Sequence, residues 1–575
     1  MLKLFRFLKP YRLMIIGVVI MVFLQSMGDL YLPTLMADII NEGVMNGDTQ
    51  KILHIGGIML LVAGAATFCS IIASYLASKS AVGLGTILRS KIFNRVESFS
   101  LHEFDKIGTS TLITRTTNDI TQIQMVTILI LRMMISAPIM AVGGIILALR
   151  QDKELTWVLA VSIPLLAIIV AFIASKMIPL FRKIQFKIDK INLVLREKLT
   201  GVRVIRAFNT IEFERKRFEA ANVDLTNTFI KVNKIMAFMM PSIMLIMNLT
   251  SLAILWFGGI RISVGDMSLG ALTAFTQYAM QIMFSMLMLA MMFIMVPRSQ
   301  AAAIRINEVL DTQPEILDAR ELKDSFLGKG YVEFKDVTFS YHGAEEPAIR
   351  NITFAARPGE ITAIIGSTGA GKSTLINLIP RFYDVDSGSI LIDGVDIREI
   401  SQENLRRKIG LVPQKAILFS GTIADNIRFG YEQATDEEVS HAAEVAQASE
   451  FIDKMDGRYD HKIAQGGLNV SGGQKQRLAI ARALVRKPEI YIFDDSFSAL
   501  DFKTDARLRA ALKKEIAEST VLIVAQRVGT VMDADRIIVL DNGRIAGIGT
   551  HKDLLKSCDV YHEIVSSQLS EEEIA

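Results

Sequence analysis

Cysteine is nearly absent: Cys69 and Cys558 are the only two in 575 residues. Two thiols cannot build a disulfide framework, and neither sits in a CxxC or Cys/His metal spacing. Charge of one sign is lacking as well. A formal net charge of +3 leaves no electrostatic case for binding nucleic acid. No cleavable leader is legible either. The basic start "MLKLFRFLKPYRL" runs into an apolar stretch, and "VFLQSMGDLYLPTL" offers no convincing small-residue cleavage site. This start reads instead as a short amphipathic helix lying on the cytoplasmic membrane face.

What is present is hydrophobicity, 51% of the chain, and it is unevenly spread. The first 300 residues hold nearly all the long apolar runs, while the rest reads as a soluble α/β domain. The length exceeds one compact domain. Six runs are long enough for the roughly 20 helical residues that a bilayer crossing needs. Their apolar centres lie near Met14–Leu24, Ile55–Ala77, Val126–Leu149, Trp157–Pro179, Ile235–Ile260 and Met267–Pro297. Arg132 is the only charge in the third run, and the fifth and sixth runs contain none.

The connections set the orientation. Those after spans one, three and five are short, whereas those after spans two and four are long, basic and helical in pattern. Between Lys176 and Lys234 there are 14 Lys and Arg, among them Arg182, Lys183, Lys187 and Lys190. Positive charge stays inside, so both long connections and both termini are predicted to be cytoplasmic. In "FRKIQFKIDKINLVLREKL" apolar residues recur at helical spacing, so the spans are predicted to run on as helices into the cytoplasm. Turns are expected near "SLHEFDKIG" and "AFNTIEFER". Methionine is plentiful, with Met280, Met283, Met286, Met288, Met291, Met292 and Met295 close together in the sixth run. Such side chains suit either an adaptable wall for varied apolar ligands or ordinary packed and lipid-facing surface.

From about Gly330 short strands alternate with helices. In "ITAIIGSTGAGKSTLINLI" a strand leads into Gly366-Ser367-Thr368-Gly369-Ala370-Gly371-Lys372-Ser373, and a helix follows. Glycines in that pattern let backbone N–H groups face phosphates, Lys372 can reach the β- and γ-phosphates, and the Ser373 hydroxyl can ligate Mg²⁺. About 120 residues later "EIYIFDD" carries Asp494 to a strand end, where a carboxylate can hold Mg²⁺. Between them Ser471, Gly472, Gly473 and Gln474 open a helix whose N–H groups could bind a phosphate. A chain with its own phosphate loop has little need of a second one, so this end is expected to meet nucleotide held by another subunit. A head-to-tail dimer with two shared ATP sites follows.

These residues resemble the ATP-binding cassette (ABC) family, in its exporter type, over nearly the whole chain. The resemblance implies an all-α six-helix transmembrane domain (1–312), a linker (313–330) and an α/β P-loop nucleotide-binding domain (331–575). It implies that Tyr341 stacks on adenine and that Gly366–Thr374 is the phosphate loop. Gln414 would be the Q-loop glutamine that touches Mg²⁺, Ser471–Gln474 the signature motif acting in trans, and Asp494 the Mg²⁺-holding carboxylate. Ser498–Asp501 would be the loop facing the partner, with Asp501 near nucleotide. The stretches His102–Thr109 and Asn209–Arg215 look like the family's two coupling helices.

Three positions depart from the family pattern. Asp495 stands where the catalytic glutamate is expected, Gln526 in place of the switch histidine, and "AQGG" at Ala464–Gly467 where "GERG" is usual. Asp is about 1.5 Å shorter than Glu, which misplaces the oxygens that would polarise water. Positioned general-base assistance is typically worth 10²–10⁴-fold, roughly 3–5 kcal/mol. Gln526 carries no positive charge for the transition state. The chain is therefore expected to bind ATP and Mg²⁺ well, to hydrolyse ATP weakly in its own cassette, and to complete a second site in trans. It resembles the degenerate-site half of bacterial heterodimeric multidrug exporters in the plasma membrane, with small apolar or amphipathic cargo. A lipid or peptide exporter, a non-pumping ATP-binding regulator and a feeble homodimer are the alternatives.

Overall fold

Each long apolar run becomes a helix that outlasts the bilayer. The structure, a computed structural model, describes residues 1–319, 321–323 and 328–569, apart from the side chains of Arg182, Met291, Phe293, Ile294, Pro297 and Arg298. The expected linker positions 320 and 324–327, the tail 570–575 and the side chains of Arg182 and Met291 therefore lie outside the described residues. Six helical stretches are long and apolar enough to cross a membrane: Leu2–Val44, Thr49–Glu97, Thr109–Gln151, Trp157–Thr200, Ile211–Val264 and Leu269–Ala290. Prolines at 33, 138, 164, 179 and 241 sit inside them, as spans allow when neighbours re-satisfy the freed carbonyls. The turn between the last two is set locally. Gly265 takes φ 89° after the fifth span, and the Ser268 hydroxyl accepts from Ala271 N to start the sixth.

The chain divides into two units, residues 1–97 with 108–312 and residues 98–107 with 313–575. In the first unit, Val18 and Val22 pack against Ala73, Ala77 and Leu131. Tyr278 of the sixth span donates to Leu30 O at 3.0 Å and shares a 2.6 Å hydrogen bond with Thr34. The fourth and fifth spans pair along the ends nearest the turn that joins them, where Met177, Ile184 and Val232 cluster and Lys187 Nζ meets Asp224 at 2.7 Å. The amphipathic start folds as a short helix, Leu2–Phe5, and a 3₁₀ turn, Arg6–Tyr11. Its Leu4 and Leu8 are buried, and Lys3 pairs with Asp311 at 2.7 Å.

Of the two expected turns, the first lies where the sequence places it and the second is displaced. The first is a seven-residue helix, Leu101–Ile107, and it packs within the second unit, not with the spans that flank it in sequence. Glu103 holds it there: its carboxylate is 5% exposed and accepts from Ser100 N, Ser100 Oγ and Glu315 N at 2.7, 2.6 and 3.1 Å. The second short helix is Val202–Ala207, earlier than the expected Asn209–Arg215. Asn209 adopts φ 52°, which ends it, and Ile211 already begins the long fifth helix, with Glu212 and Glu214 in its first turn complementing the helix dipole.

The second unit is a layered α/β domain. A six-stranded sheet runs in the order Arg544–Gly549, Arg536–Asp541, Ile361–Gly366, Thr520–Val524, Ile490–Asp494, Ile409–Val412. All its pairings are parallel except the first. Its interior strands are continuously apolar because both faces are covered. An antiparallel sheet of Ile349–Ala356, Val332–Phe339, Ser387–Ile392 and Val395–Asp396 lies in the same unit, with Phe334 stacked on Phe354 at 4.6 Å.

Replacing Glu103 by Ala should free the short helix. Stranding the Ser100 and Glu315 amides is worth about 1–3 kcal/mol. Amides 98–107 of the full chain should then exchange hydrogen at least about tenfold faster, by mass spectrometry. Unchanged protection would show that something other than Glu103 holds this helix.

Candidate functional site

Parallel strands bring distant residues to one edge. Val524 pairs with Ile364 on one side and Asp494 on the other, and Val412 pairs with Phe493. The segments leaving these strands at Gly366, Asp494, Val412 and Val524 therefore emerge together. Carboxyl ends of parallel strands are where such sheets bind ligands. The expected Gly366–Ser373 loop, Asp494–Asp495, Gln414 and Gln526 are all carried on those four exits.

The loop after Gly366 turns into the helix Lys372–Leu378. Gly371 takes φ 95°, and a Cβ there would stand 2.9 Å from Ala348 O, so no side chain fits. Lys372 Nζ donates to the loop carbonyls of Gly366 and Ser367 at 2.8 and 2.7 Å. Ser373 Oγ donates to Asp494 Oδ1 at 3.2 Å. Burial pushes the Asp494 carboxyl up, eased by the Ser373 hydrogen bond. Burial pushes the Lys372 amine down, against the pull of Asp495 and Asp494. A buried carboxylate gains most from a cation and a buried ammonium from an anion. A hydroxyl beside a carboxylate is also the hard-oxygen donor pair that Mg²⁺ takes. The residues therefore fit a Mg²⁺-nucleotide.

Next to Asp494 the chain bends sharply. Asp495 has φ 45°, its N donates to Val524 O at 2.9 Å, and its own carbonyl accepts from Ser498 Oγ at 2.9 Å. The side chain lies between two amides: Gln526 Nε2 donates to Asp495 Oδ2 at 3.2 Å and Gln414 Nε2 donates to the same oxygen at 3.4 Å. Gln526 is in turn held through its carbonyl, which accepts from Gln568 Nε2 at 2.8 Å. Two of the three positions that depart from the family pattern, Asp495 and Gln526, thus bond to each other.

Tyr341 lies just past the strand Val332–Phe339. Its hydroxyl shares a 3.0 Å hydrogen bond with Thr374 Oγ1, and its ring meets Phe339 and Tyr383 edge-on. A cavity of about 310 Å³ opens beside it, lined by Ser100, His102, Glu315, His342 and Tyr383 among others. The rings of His102 and His342 are 4.8 Å apart. The sequence carried no signal for this pair, because the two lie 240 positions apart and no motif joins them.

The serine-glycine stretch is elsewhere. Ser471 caps the helix Gly472–Leu484: its hydroxyl accepts from Gln474 N at 3.3 Å, and Gln474 Oε1 accepts from Ser471 N at 2.8 Å. A Cβ on Gly473 would lie 3.2 Å from Ala499 O, so the helix start sits against the Ser498–Asp501 loop. Asp501 caps the next helix through Thr504 N, a bond that holds its carboxyl below the usual range. Among the described residues no hydrogen bond joins Ser471–Gln474 or Asp501 to Gly366–Thr374.

One polar group in the membrane unit was also missed: Asp29, with Gln25 and Gln281 beside it. A carboxylate just beyond the apolar centre of the first run was the available signal.

Comparison with known proteins agrees with this architecture. Residues 14–286 match the family described as ABC transporter transmembrane region, and residues 349–498 match the ABC transporter family. An uncharacterized ABC transporter ATP-binding protein of Mycobacterium tuberculosis is 45% identical over 98% of this chain and 97% of its own. An ATP-dependent lipid A-core flippase of Aromatoleum aromaticum is 33% identical over 92% and 88%. The solved structure of a bacterial Atm1-family ABC exporter with ATP bound superposes with a TM-score of 0.82, at 26% identity, covering 97% of this chain and 99% of that one.

Nucleotide binding should depend on two side chains in different ways. Lys372→Ala should weaken a fluorescent ATP analogue by about 10–100-fold, the worth of charge-assisted hydrogen bonds. Tyr341→Ala should weaken it by about 5–100-fold through lost base stacking, while Tyr341→Phe stays near wild type. Equal losses in the Ala and Phe variants would assign the effect to the Thr374 hydrogen bond instead.

Proposed function

The chain belongs to the ABC transporter family as an exporter half-transporter, and from that premise we propose that it is the degenerate-site half of a heterodimeric exporter of apolar or amphipathic compounds. In this reading both termini face the cytoplasm of a cell whose plasma membrane the six spans cross. The membrane domain is 1–312, the linker 313–330 and the nucleotide-binding domain 331–575. The observation that carries it is the Asp495 carboxylate, occupied by the amides of Gln414 and Gln526. With both amides on its Oδ2, this shorter carboxylate is poorly placed to orient an attacking water. Gln526 adds no charge that would favour the transition state.

Gly366–Thr374 holds the phosphates, Lys372 reaches the terminal ones, and Tyr341 takes the base. Ser373, Asp494 and Gln414 would hold Mg²⁺, which supplies charge neutralisation on the phosphates when bound. Ser471–Gln474 and the Asp501 loop serve the other nucleotide. Their helix start, pinned by its own capping box and exposed, suits a phosphate presented by a paralogous partner that carries the catalytic Glu and the switch His. Closure of the two cassettes would move the short cytoplasmic helices and turn the spans from inward- to outward-facing. Uncharged fifth and sixth runs rich in methionine favour apolar or amphipathic cargo.

A second reading, lipid export, has one observation in its favour: a relative at 33% identity is named as a lipid A-core flippase.

ATPase rates in lipid separate these states. The chain alone should turn over at least about 10²-fold more slowly than the chain with its partner half, the range that general-base loss spans. In the pair, Ser471→Ala should cripple turnover, whereas Asp495→Glu should change it only a few-fold. Robust turnover by the chain alone would sink the heterodimer.

A further inference from the structure

The first span carries a half-buried carboxylate, Asp29, among its packed side chains. Leu30 lies against Gly143 and Gly144 of the third span: a Cβ on Gly143 would stand 2.5 Å from Leu30 Cδ1. Gly144 is twelve residues from Arg132 and six from Arg150. At about 1.5 Å per residue that is roughly 18 Å and 9 Å along the helix. Asp29, next to Leu30, therefore lies level with the apolar stretch of the third span between Arg132 and Arg150, where a hydrocarbon layer about 30 Å thick would run. Charged side chains at that depth are costly and belong to interiors and ligand paths.

Two neutral amides flank it, and one of them leaves an acceptor unmatched. Gln25 Nε2 donates to Asp29 Oδ2 at a long 3.5 Å. Gln281 of the sixth span donates through Nε2 to the Asp29 carbonyl at 3.0 Å, and its Oε1 is buried without a hydrogen-bond partner. One turn away the Tyr278 hydroxyl is already used by Leu30 O and Thr34. Among the described residues Asp29 makes no ion pair. The spans thus offer a negative charge and an orphan amide oxygen side by side, and no cation to match them. An acceptor set of that kind is complementary to a group that brings both positive charge and N–H donors.

We infer that Asp29 and Gln281 form the recognition site for the cationic, N–H-bearing head of an amphipathic substrate. This rests on the export reading above and narrows its cargo to lipophilic cations. A lipid whose head carries net negative charge and no cation would be repelled by the same carboxylate.

Ethidium, a permanent aromatic cation with amine donors, and hydroethidine, its uncharged reduced form, make a matched pair of probes. Each would be titrated by fluorescence, without ATP and under anaerobic conditions, into the full-length chain with its partner half in zwitterionic nanodiscs. Asp29→Asn should weaken ethidium at least about tenfold and hydroethidine less than twofold. Asp29→Glu should retain ethidium binding within about threefold, and Gln281→Leu should weaken it about threefold. Matching thermal unfolding midpoints would show that the variants are folded. Ethidium binding to Asp29→Asn within twofold of wild type would overturn the site. So would equal losses of both probes, which would make Asp29 structural. The readout involves no hydrolysis, so it can fail while the ATPase asymmetry holds, or hold while that asymmetry fails.

Discussion

Two neutral amides converge on one oxygen of Asp495, and the account of this cassette depends on that contact. A glutamate there would extend about one methylene further toward the phosphates. The shorter side chain, on a backbone bent to φ 45°, stays within reach of Gln414 and Gln526. The departures at Asp495 and Gln526 are therefore one arrangement. A histidine at 526 would bring a titratable ring, whereas the glutamine forms a hydrogen bond that neither gains nor loses charge. Gln568 fixes that glutamine from behind. The site keeps the Lys372 ammonium and the Ser373–Asp494 oxygen pair that suit a Mg²⁺-nucleotide, while in the proposed reading Asp495 and Gln526 leave cleavage weak.

The parallel sheet makes such a division possible. Four strand ends deliver phosphate loop, carboxylates and both glutamines to one edge, so a change in one side chain is felt by its neighbours without disturbing the strands. The signature helix instead spends its first residues on its own capping box and on the Ser498–Asp501 loop. A chain built this way can weaken one site and still lend an intact surface to another. The membrane half shows a comparable economy of charge: apolar spans, with Arg132 and Asp29 among the few charges within them.

Much of this was legible in the sequence because it is local. A glycine pattern between strand and helix, an aspartate ending an apolar strand and six long apolar runs each report on their own neighbourhood. The rest depends on contacts between distant residues. Gln281 meets Asp29 across 252 positions, and His102 meets His342 across 240. The membership of 98–107 in the soluble unit follows from a buried Glu103 that serves Glu315, which helical periodicity cannot show. The second connecting helix is displaced because Asn209, with its left-handed backbone, ends one helix instead of sitting inside the next. Which carboxylate oxygen the two glutamines share could not be read from motifs at all.

The central claim is that this chain's own site holds ATP while hydrolysis proceeds elsewhere. The direct test is the identity of the nucleotide bound there. The pair would be supplied with a radiolabelled photoreactive ATP during steady turnover, crosslinked, and the adduct on this chain's Tyr341-containing fragment resolved into di- and triphosphate. The account predicts that the label at this site is mostly triphosphate. Label recovered there mostly as diphosphate, in step with the partner's site, would contradict it.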